Sequence, residues 1–304
     1  MRASLALVAL IVLAAGCGSS TSSSKRGAPD AGSLDALWRT PTGGQSVALI
    51  PGTSDYSPGD VRVSFVVVDP HGRVSATRHA DVWVARSLRT KPFAHSVASL
   101  EPIGVPGIST GADAKAIYVA HVRVPAPGHY QLVARPIGGS EHIAALGELV
   151  VRERSESPMV GSHAYPSRTP TLASTGGRTA LLTTSVPPDR ALLRTSIAEA
   201  LAAHVPFVVT FATPRYCESR ICGPVVDVVN NVRKQYAPKG VRFIHVEIYR
   251  QNNPSKGPNL WVRQWHLPGE PWTFLVGRDG TIKGKFQGSV STRELSAAIG
   301  RLLL

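Results

Sequence analysis

The sequence contains no long apolar run, little aromatic character and few charges. The longest uninterrupted apolar stretch, Leu5 to Ala15, has eleven residues. About 20 are needed to cross a bilayer, so it is too short for a spanning helix. Aromatic residues make up 6% of the chain and charged residues 17%, against 43% hydrophobic, a balance that argues against wholesale disorder. Cysteine is rarer still, three in 304 residues. Histidine is commoner, but His71, His79, His95, His121, His129 and His142 are scattered without the spacing of metal ligands. No internal repeat is visible. Acids are also in deficit, 20 against 33 Lys and Arg, for a net charge of +13. Residues 191–304 hold 15 of the bases and 7 of the acids, so +8 of that charge lies there. Such a basic surface suits nucleic acid, anionic lipid or cell-wall polymer, or is simply a solvated face.

What is present begins at the N-terminus. Met1-Arg2 supplies one positive charge, the apolar run follows, and Leu13-Ala14-Ala15-Gly16-Cys17 ends it. That order is the pattern of a secretory signal. The residues around Cys17 resemble the lipobox of bacterial lipoproteins, with Ala14 at a position where Leu is commoner. The resemblance implies removal of residues 1–16, a diacylglyceryl group on the Cys17 thiol, and a protein lipid-anchored at the extracytoplasmic face of the cell membrane. Nucleic acid is then not an expected partner. With Cys17 lipidated, Cys217 and Cys222 remain outside the reducing cytosol, where a nearby pair is expected to form a disulfide. Residues 17–41, opening on the Ser-rich stretch Gly18 to Ser24, read as a tether.

Residues 42–152 read as strand and turn. Val61 to Val68, Asp81 to Arg86, Ile117 to Val122 and Tyr130 to Ala134 are short β-branched runs bounded by Gly, Pro or Asp, at sandwich spacing. Pro127-Gly128-His129-Tyr130 resembles the turn entering a late strand of immunoglobulin-like domains, where a Tyr packs the corner. The antibody-type cysteine pair and central Trp are absent. The expectation is an all-β immunoglobulin-like sandwich acting as a binding or spacing module. Residues 153–188 lack periodicity and read as an interdomain linker.

From 189 to 304 the text alternates between helix and strand. Asp189 can cap a helix carrying Leu192, Leu193, Ile197, Ala200 and Leu201. Pro206 to Thr213 is a doubly buried strand, Pro224 to Tyr236 a helix with Pro in its first turn, and Val241 to Tyr249 a strand. Trp272 to Val276 and Thr281 to Phe286 form a hairpin across Gly277-Arg278-Asp279-Gly280, and Thr292 to Leu303 is a closing helix. This is an α/β plan.

Two motifs in that plan resemble the thioredoxin family. The strand PFVVTFAT leads to Cys222-Gly223-Pro224-Val225, where thioredoxins have Cys-Gly-Pro-Cys. Gly269-Glu270-Pro271-Trp272 stands where the family has a cis-proline before its antiparallel strand. The tract also resembles bacterial lipoproteins with a thioredoxin-like domain behind a β-sandwich. The resemblance implies a cis Glu270–Pro271 bond and a substrate-facing surface at Gly223, Pro224, Glu270 and Pro271. It also implies thiol–disulfide exchange with exported protein thiols or disulfides, without cofactor or metal. A thiol at a helix N-terminus is stabilised as thiolate, which suits Cys222 as the attacking group, and Arg215 and Arg220 would add to this if they point inward. Departures matter equally. Val225 replaces the resolving cysteine, leaving that role to Cys217; Ile221 replaces a Trp; Thr210 stands where the family keeps a buried carboxylate. A non-catalytic scaffold with a structural disulfide, or a copper carrier using His266, are the alternatives.

If Cys17 carries the lipid, Cys17→Ser should release the protein from membranes or block its processing. Unchanged partitioning of that variant into a detergent phase would defeat the lipoprotein reading.

Overall fold

In the N-terminal half, alternating burial along the strands builds the core. The computed structural model describes residues 32–39, 47–69, 71–105, 115–137, 145–217 and 222–304. The expected signal peptide (residues 1–16) and the lipidation site Cys17 lie outside the described residues. A short helix α1 (Leu34–Arg39) is followed by β1 (Ala48–Pro51), β2 (Gly59–Val68), β3 (His79–Ala85), β4 (Ala94–Pro102), β5 (Ala116–Val124), β6 (Gly128–Ile137) and β7 (Ala145–Val151). These strands form one antiparallel sheet in the order β1-β2-β5-β4-β3-β6-β7. Every second residue of β2 (Val61, Val63, Phe65, Val67), β5 (Tyr118, Ala120, Val122, Val124), β3 (Ala80, Val82, Val84) and β6 (Tyr130, Leu132, Ala134) enters one cluster. Strand β4 makes this possible. Its first part pairs with β3 and its last residues, Ser99–Pro102, with β5, so the sheet turns over and β1 meets β7.

Tyr130 holds the turn into β6: its hydroxyl donates to the Ala126 carbonyl at 2.6 Å. Strands β1, β4 and β7 were not expected from sequence; β4 carries His, Ser and Glu among its apolar residues and shows no clean alternation. Helix α1 corrects the tether of residues 17–41. Leu34 is fully buried beside Ala85 and Val133, so the last part of that segment is docked on the sheet.

The C-terminal half contains α2 (Ile197–Ala202), β8 (Phe207–Phe211), α3 (Cys222–Tyr236), β9 (Arg242–Val246), α4 (Leu260–Gln264), β10 (Trp272–Val276), β11 (Ile282–Gln287) and α5 (Thr292–Leu302). The sheet order is β11-β10-β8-β9, with β8 parallel to β9 and β10 antiparallel to β8 and β11. Both faces are covered. Val208 and Ala212 face α3 and α5, while Phe207, Val209 and Phe211 face α2, Val262 and Trp265. A strand buried on both sides reads as a continuous apolar run, as β8 does. The helix expected from Asp189 is two pieces. Asp189 caps a 3₁₀ turn, Arg190–Leu193. Ser196 then starts α2 afresh, its hydroxyl accepting from the Glu199 amide while Glu199 accepts from the Ser196 amide. That capping box fixes a helix start that periodicity alone cannot locate.

The two sheets are fastened by charge. Arg62 of β2 donates to both Glu294 oxygens, at 2.5 and 3.0 Å, and to the Ser289 carbonyl at 2.8 Å. Glu101 of β4, almost fully buried, accepts from Ser291 Oγ at 2.8 Å and from Arg293. The segment 153–188, expected as a linker, is packed against both sheets. Ser155 and Ser157 donate to Asp55 and accept from Lys285 of β11. Residues 161–164 pair alongside the β10–β11 turn, and Ala164 enters the core. No helix among the described residues is long and apolar enough to cross a membrane.

Burial by itself would raise the Asp55 pKa. The hydrogen bonds from Ser155, Ser157 and the Glu156 amide, with the Lys285 charge, outweigh it and hold the carboxyl below its ordinary 3.8. A carboxylate lowered in this way stabilises the fold above its unfolded pKa, and the contribution is lost as pH falls through the folded value. Asp55→Asn should therefore cost about 1–3 kcal/mol near neutral pH. It should also flatten the fall in stability expected below pH about 4, with urea unfolding of parent and variant as the measurement. An identical acid profile in both proteins would refute this role.

Candidate functional site

The register of the four-stranded sheet brings the two motifs together. Trp272 pairs with Phe211, so Pro271 lies beside the carboxyl end of β8, where the chain departs toward Cys217. The Glu270–Pro271 bond is cis, as the resemblance implied. Pro271 is buried, and its carbonyl accepts from the Gly288 amide at 2.9 Å. Beyond β8, Ala212 and Thr213 are fully buried and a turn over Pro214–Tyr216 delivers Cys217. Cys217 is disulfide-bonded and 9% exposed, and it packs in the same cluster as Val225 and Val229 of α3.

Helix α3 starts at Cys222 itself, two residues before the Pro expected to open it, with Pro224 buried in the first turn. Residues 218–221, Arg220 among them, and the side chains of Cys222 and Gly223 lie outside the description. Arg215 does not turn inward: it is exposed, with its guanidinium 5.7 Å from the Tyr216 ring centre.

The strand position that a carboxylate occupies in the family is filled by a neutral pair. Thr210 and Thr273 hydroxyls lie 3.1 Å apart, both fully buried. The buried carboxylate of this region is instead Glu247, just past the end of β9. Its Oε2 accepts from the Thr184 amide at 2.7 Å and the Thr184 hydroxyl at 3.1 Å. Thr184 Oγ1 in turn accepts from the Arg215 amide at 3.1 Å, so Glu247 holds the Cys217 loop through a residue of the 153–188 segment. His245, also buried, bonds the Ala212 carbonyl at 3.0 Å and locks the ends of β8 and β9. Sequence reasoning missed Thr184, His245 and Glu247. A single His or Glu inside an apolar strand carries no signature, and Thr184 sat in a stretch without periodicity.

A cleft of about 940 Å³ opens beside this loop between the cis Val186–Pro187 turn and the first turns of α3. Asp227 of α3 and Asp189 both line it. Burial, and secondarily the Asp189 charge, raises the Asp227 pKa above its ordinary value. His266, the histidine weighed for copper, is exposed and edge-on to Tyr165 next to the buried Trp265. Among the described residues no group of three or more His, Cys, Asp or Glu is placed to hold a metal ion.

Two solved structures are similar to parts of this chain. A thiol:disulfide interchange protein of the thioredoxin family from Chlorobium tepidum TLS is 16% identical, covering 47% of this chain and 100% of that one, with a TM-score of 0.30. The human F-spondin reeler domain is 17% identical over 34% of this chain and 87% of its own, with a TM-score of 0.19. No protein-family model matches the chain, and no curated protein matches it.

Thr184→Val keeps the shape of the side chain and removes the hydroxyl that links Glu247 to Arg215. It should cost about 1–2 kcal/mol and speed amide exchange over the peptide containing Arg215 to Cys217. Parent-like exchange there would show that the loop is held by other means.

Proposed function

We propose that this chain is a lipid-anchored, extracytoplasmic protein with a thioredoxin-like domain behind an immunoglobulin-like β-sandwich. We further propose that it exchanges thiols and disulfides with exported proteins. Cys222 is the attacking sulfur and Cys217 its partner. One observation carries the reading: Cys217 is already in a disulfide, directly ahead of a helix that starts at Cys222, at the strand end beside cis-Pro271. The helix start favours a thiolate at Cys222.

In the reducing direction, the Cys222 thiolate attacks a client disulfide, forming a mixed disulfide and releasing one client thiolate, which takes up a proton. Cys217, deprotonated, then attacks Cys222 Sγ, freeing the second client sulfur. The client gains two electrons and the pair ends as a disulfide. The oxidising direction is the same sequence reversed.

One observation favours a second reading. Cys217 is nearly buried in an apolar cluster, and the Thr210–Thr273 pair offers no carboxylate for proton transfer, which suits a fixed disulfide on a binding scaffold. A structural disulfide in an exported protein has a potential below roughly −300 mV, whereas a working pair lies higher.

Single-cysteine variants separate the two. With Cys222 as nucleophile, Cys217→Ser should accumulate a mixed disulfide with a client, and Cys222→Ser should trap nothing. Silence from both variants, with a pair that resists reduction, would leave the scaffold.

A further inference from the structure

Strand β9 lies at one edge of its sheet, and the chain beyond it lines a further cavity, of about 470 Å³. That volume is within the range of small-molecule sites. The cavity sits at the carboxyl end of a parallel strand, where open α/β sheets hold ligands. Glu247, the first residue past β9, lines it and is 5% exposed. Its Oε2 accepts both bonds from Thr184, which restrains the carboxylate. Its Oε1 is buried and has no hydrogen-bond partner among the described residues. A carboxylate oxygen buried without a donor is costly, so it is the group that a ligand would satisfy.

The rest of the lining is of two kinds. Leu260 and Leu181 are large apolar side chains left 61% and 49% exposed, and partly buried Trp261 joins them. Arg250 and Arg263 are exposed and line the same cavity. Each donates to a backbone carbonyl, that of Lys256 at 2.5 Å and that of Pro258 at 3.1 Å, and neither is hydrogen-bonded to Glu247 Oε1. Next in the chain, Gln251 and Asn252 have φ of +55° and +54°, and Asn252 Nδ2 ties this turn to the Ala180 carbonyl at 2.8 Å. Adjacent non-glycine residues in that region are strained, and such strain collects at ligand clamps. A plain amine here would meet the two arginines, and a plain acid would meet Glu247. A zwitterion finds a partner for each of its charges.

We infer that this cavity binds a small zwitterion with an apolar body, a free amino acid or a short peptide. Its ammonium donates to Glu247 Oε1 and its carboxylate accepts from Arg250 or Arg263. Its apolar part lies against Leu181, Leu260 and Trp261. Hydrogen bonds between charged groups at both ends fix the orientation, and the apolar wall supplies contact area. The inference does not rest on the exchange reading, since neither Cys217 nor Cys222 takes part in it.

Titration calorimetry on the full chain tests this. The probes are L-phenylalanine and the dipeptide Phe-Phe as zwitterions, with phenethylamine and 3-phenylpropionate as analogues that each lack one charge. At least one zwitterion should bind saturably, about tenfold more tightly than either analogue. The tighter of the two zwitterions tells a free amino acid from a short peptide. Arg250→Ala or Arg263→Ala, at exposed positions, should weaken that zwitterion about fivefold and leave phenethylamine unchanged. Leu181→Ala combined with Leu260→Ala should weaken it about tenfold. Glu247→Gln should weaken the zwitterion and phenethylamine but not 3-phenylpropionate. The arginine and leucine variants change the surface alone, so they keep the test decisive if Glu247→Gln fails to fold. Three results would each overturn the inference: no saturable binding of either zwitterion to the parent, an analogue that binds as tightly as the zwitterions, or affinities indifferent to the arginine and leucine variants.

Discussion

Strand β8 is paired along both edges, parallel to β9 and antiparallel to β10, and all five of its side chains are buried. Odd-numbered residues face one apolar cluster and even-numbered ones the other. A slip of one residue would exchange the two sets, placing Thr210 among Trp265 and Phe274 and separating it from Thr273. The strand has one register, and the positions of the site follow from it. Its carboxyl end delivers Cys217, its neighbour β10 starts just after Pro271, and its neighbour β9 ends just before Glu247. Open α/β sheets bind ligands at the carboxyl ends of their parallel strands for the same geometric reason.

The fastening between the sheets is of another kind. Arg62–Glu294 and Lys285–Asp55 are largely buried, and the desolvation of such pairs offsets much of their attraction. Their net worth as glue is small; what they provide is orientation. Arg62 reaches two carboxylate oxygens and a carbonyl at once, and Lys285 meets two hydroxyls as well as Asp55, so few relative placements satisfy every donor. Removing one partner would leave a largely buried charge without its counterion, which is why Asp55 bears on acid stability. A flexible spacer between the sheets would not need this machinery. Residues 155–164 instead run as a bound strap from one sheet to the other.

How much of this was legible depended on the signal each element carries. Strand β8, helix α3 and the β10–β11 hairpin follow from apolar runs, a proline in a first turn and an Asp-Gly turn, all local. The cis-proline came from the family resemblance, not from any local rule. The strands β1, β4 and β7 are short or mixed in composition, and they owe their state to neighbours far away in sequence. The strap shows the limit most plainly. Ser155, Ser157 and Thr184 are ordinary loop residues by composition, and only the presence of Asp55, Lys285 and Glu247 opposite them makes them structural. Arg215 erred the other way: a cation near a cysteine invites an electrostatic role, yet its side chain lies over Tyr216 at the surface.

Burial of Cys217 bears on both readings of the disulfide. Under the proposed pairing, a client thiolate attacking Cys222 would have to expel the Cys217 sulfur into apolar surroundings, where an anion is poorly stabilised. Attack on Cys217 itself is hindered because the sulfur is covered. Both effects slow opening of the oxidised form. On the exchange reading, closing the disulfide releases the client's sulfur and not that of Cys217, but it requires the Cys217 thiolate in the same apolar surroundings. The burial of Cys217 therefore weighs on both steps of the proposed exchange. Without a carboxylate at Thr210, the proton leaving Cys217 needs another acceptor. Asp227 lines the adjoining cleft, and burial, with the Asp189 charge, raises its pKa, which gives its carboxylate a greater proton affinity than usual. On the exchange reading proposed above, the second step, in which Cys217 must lose its proton, is then the one that the neutral Thr210–Thr273 pair should slow.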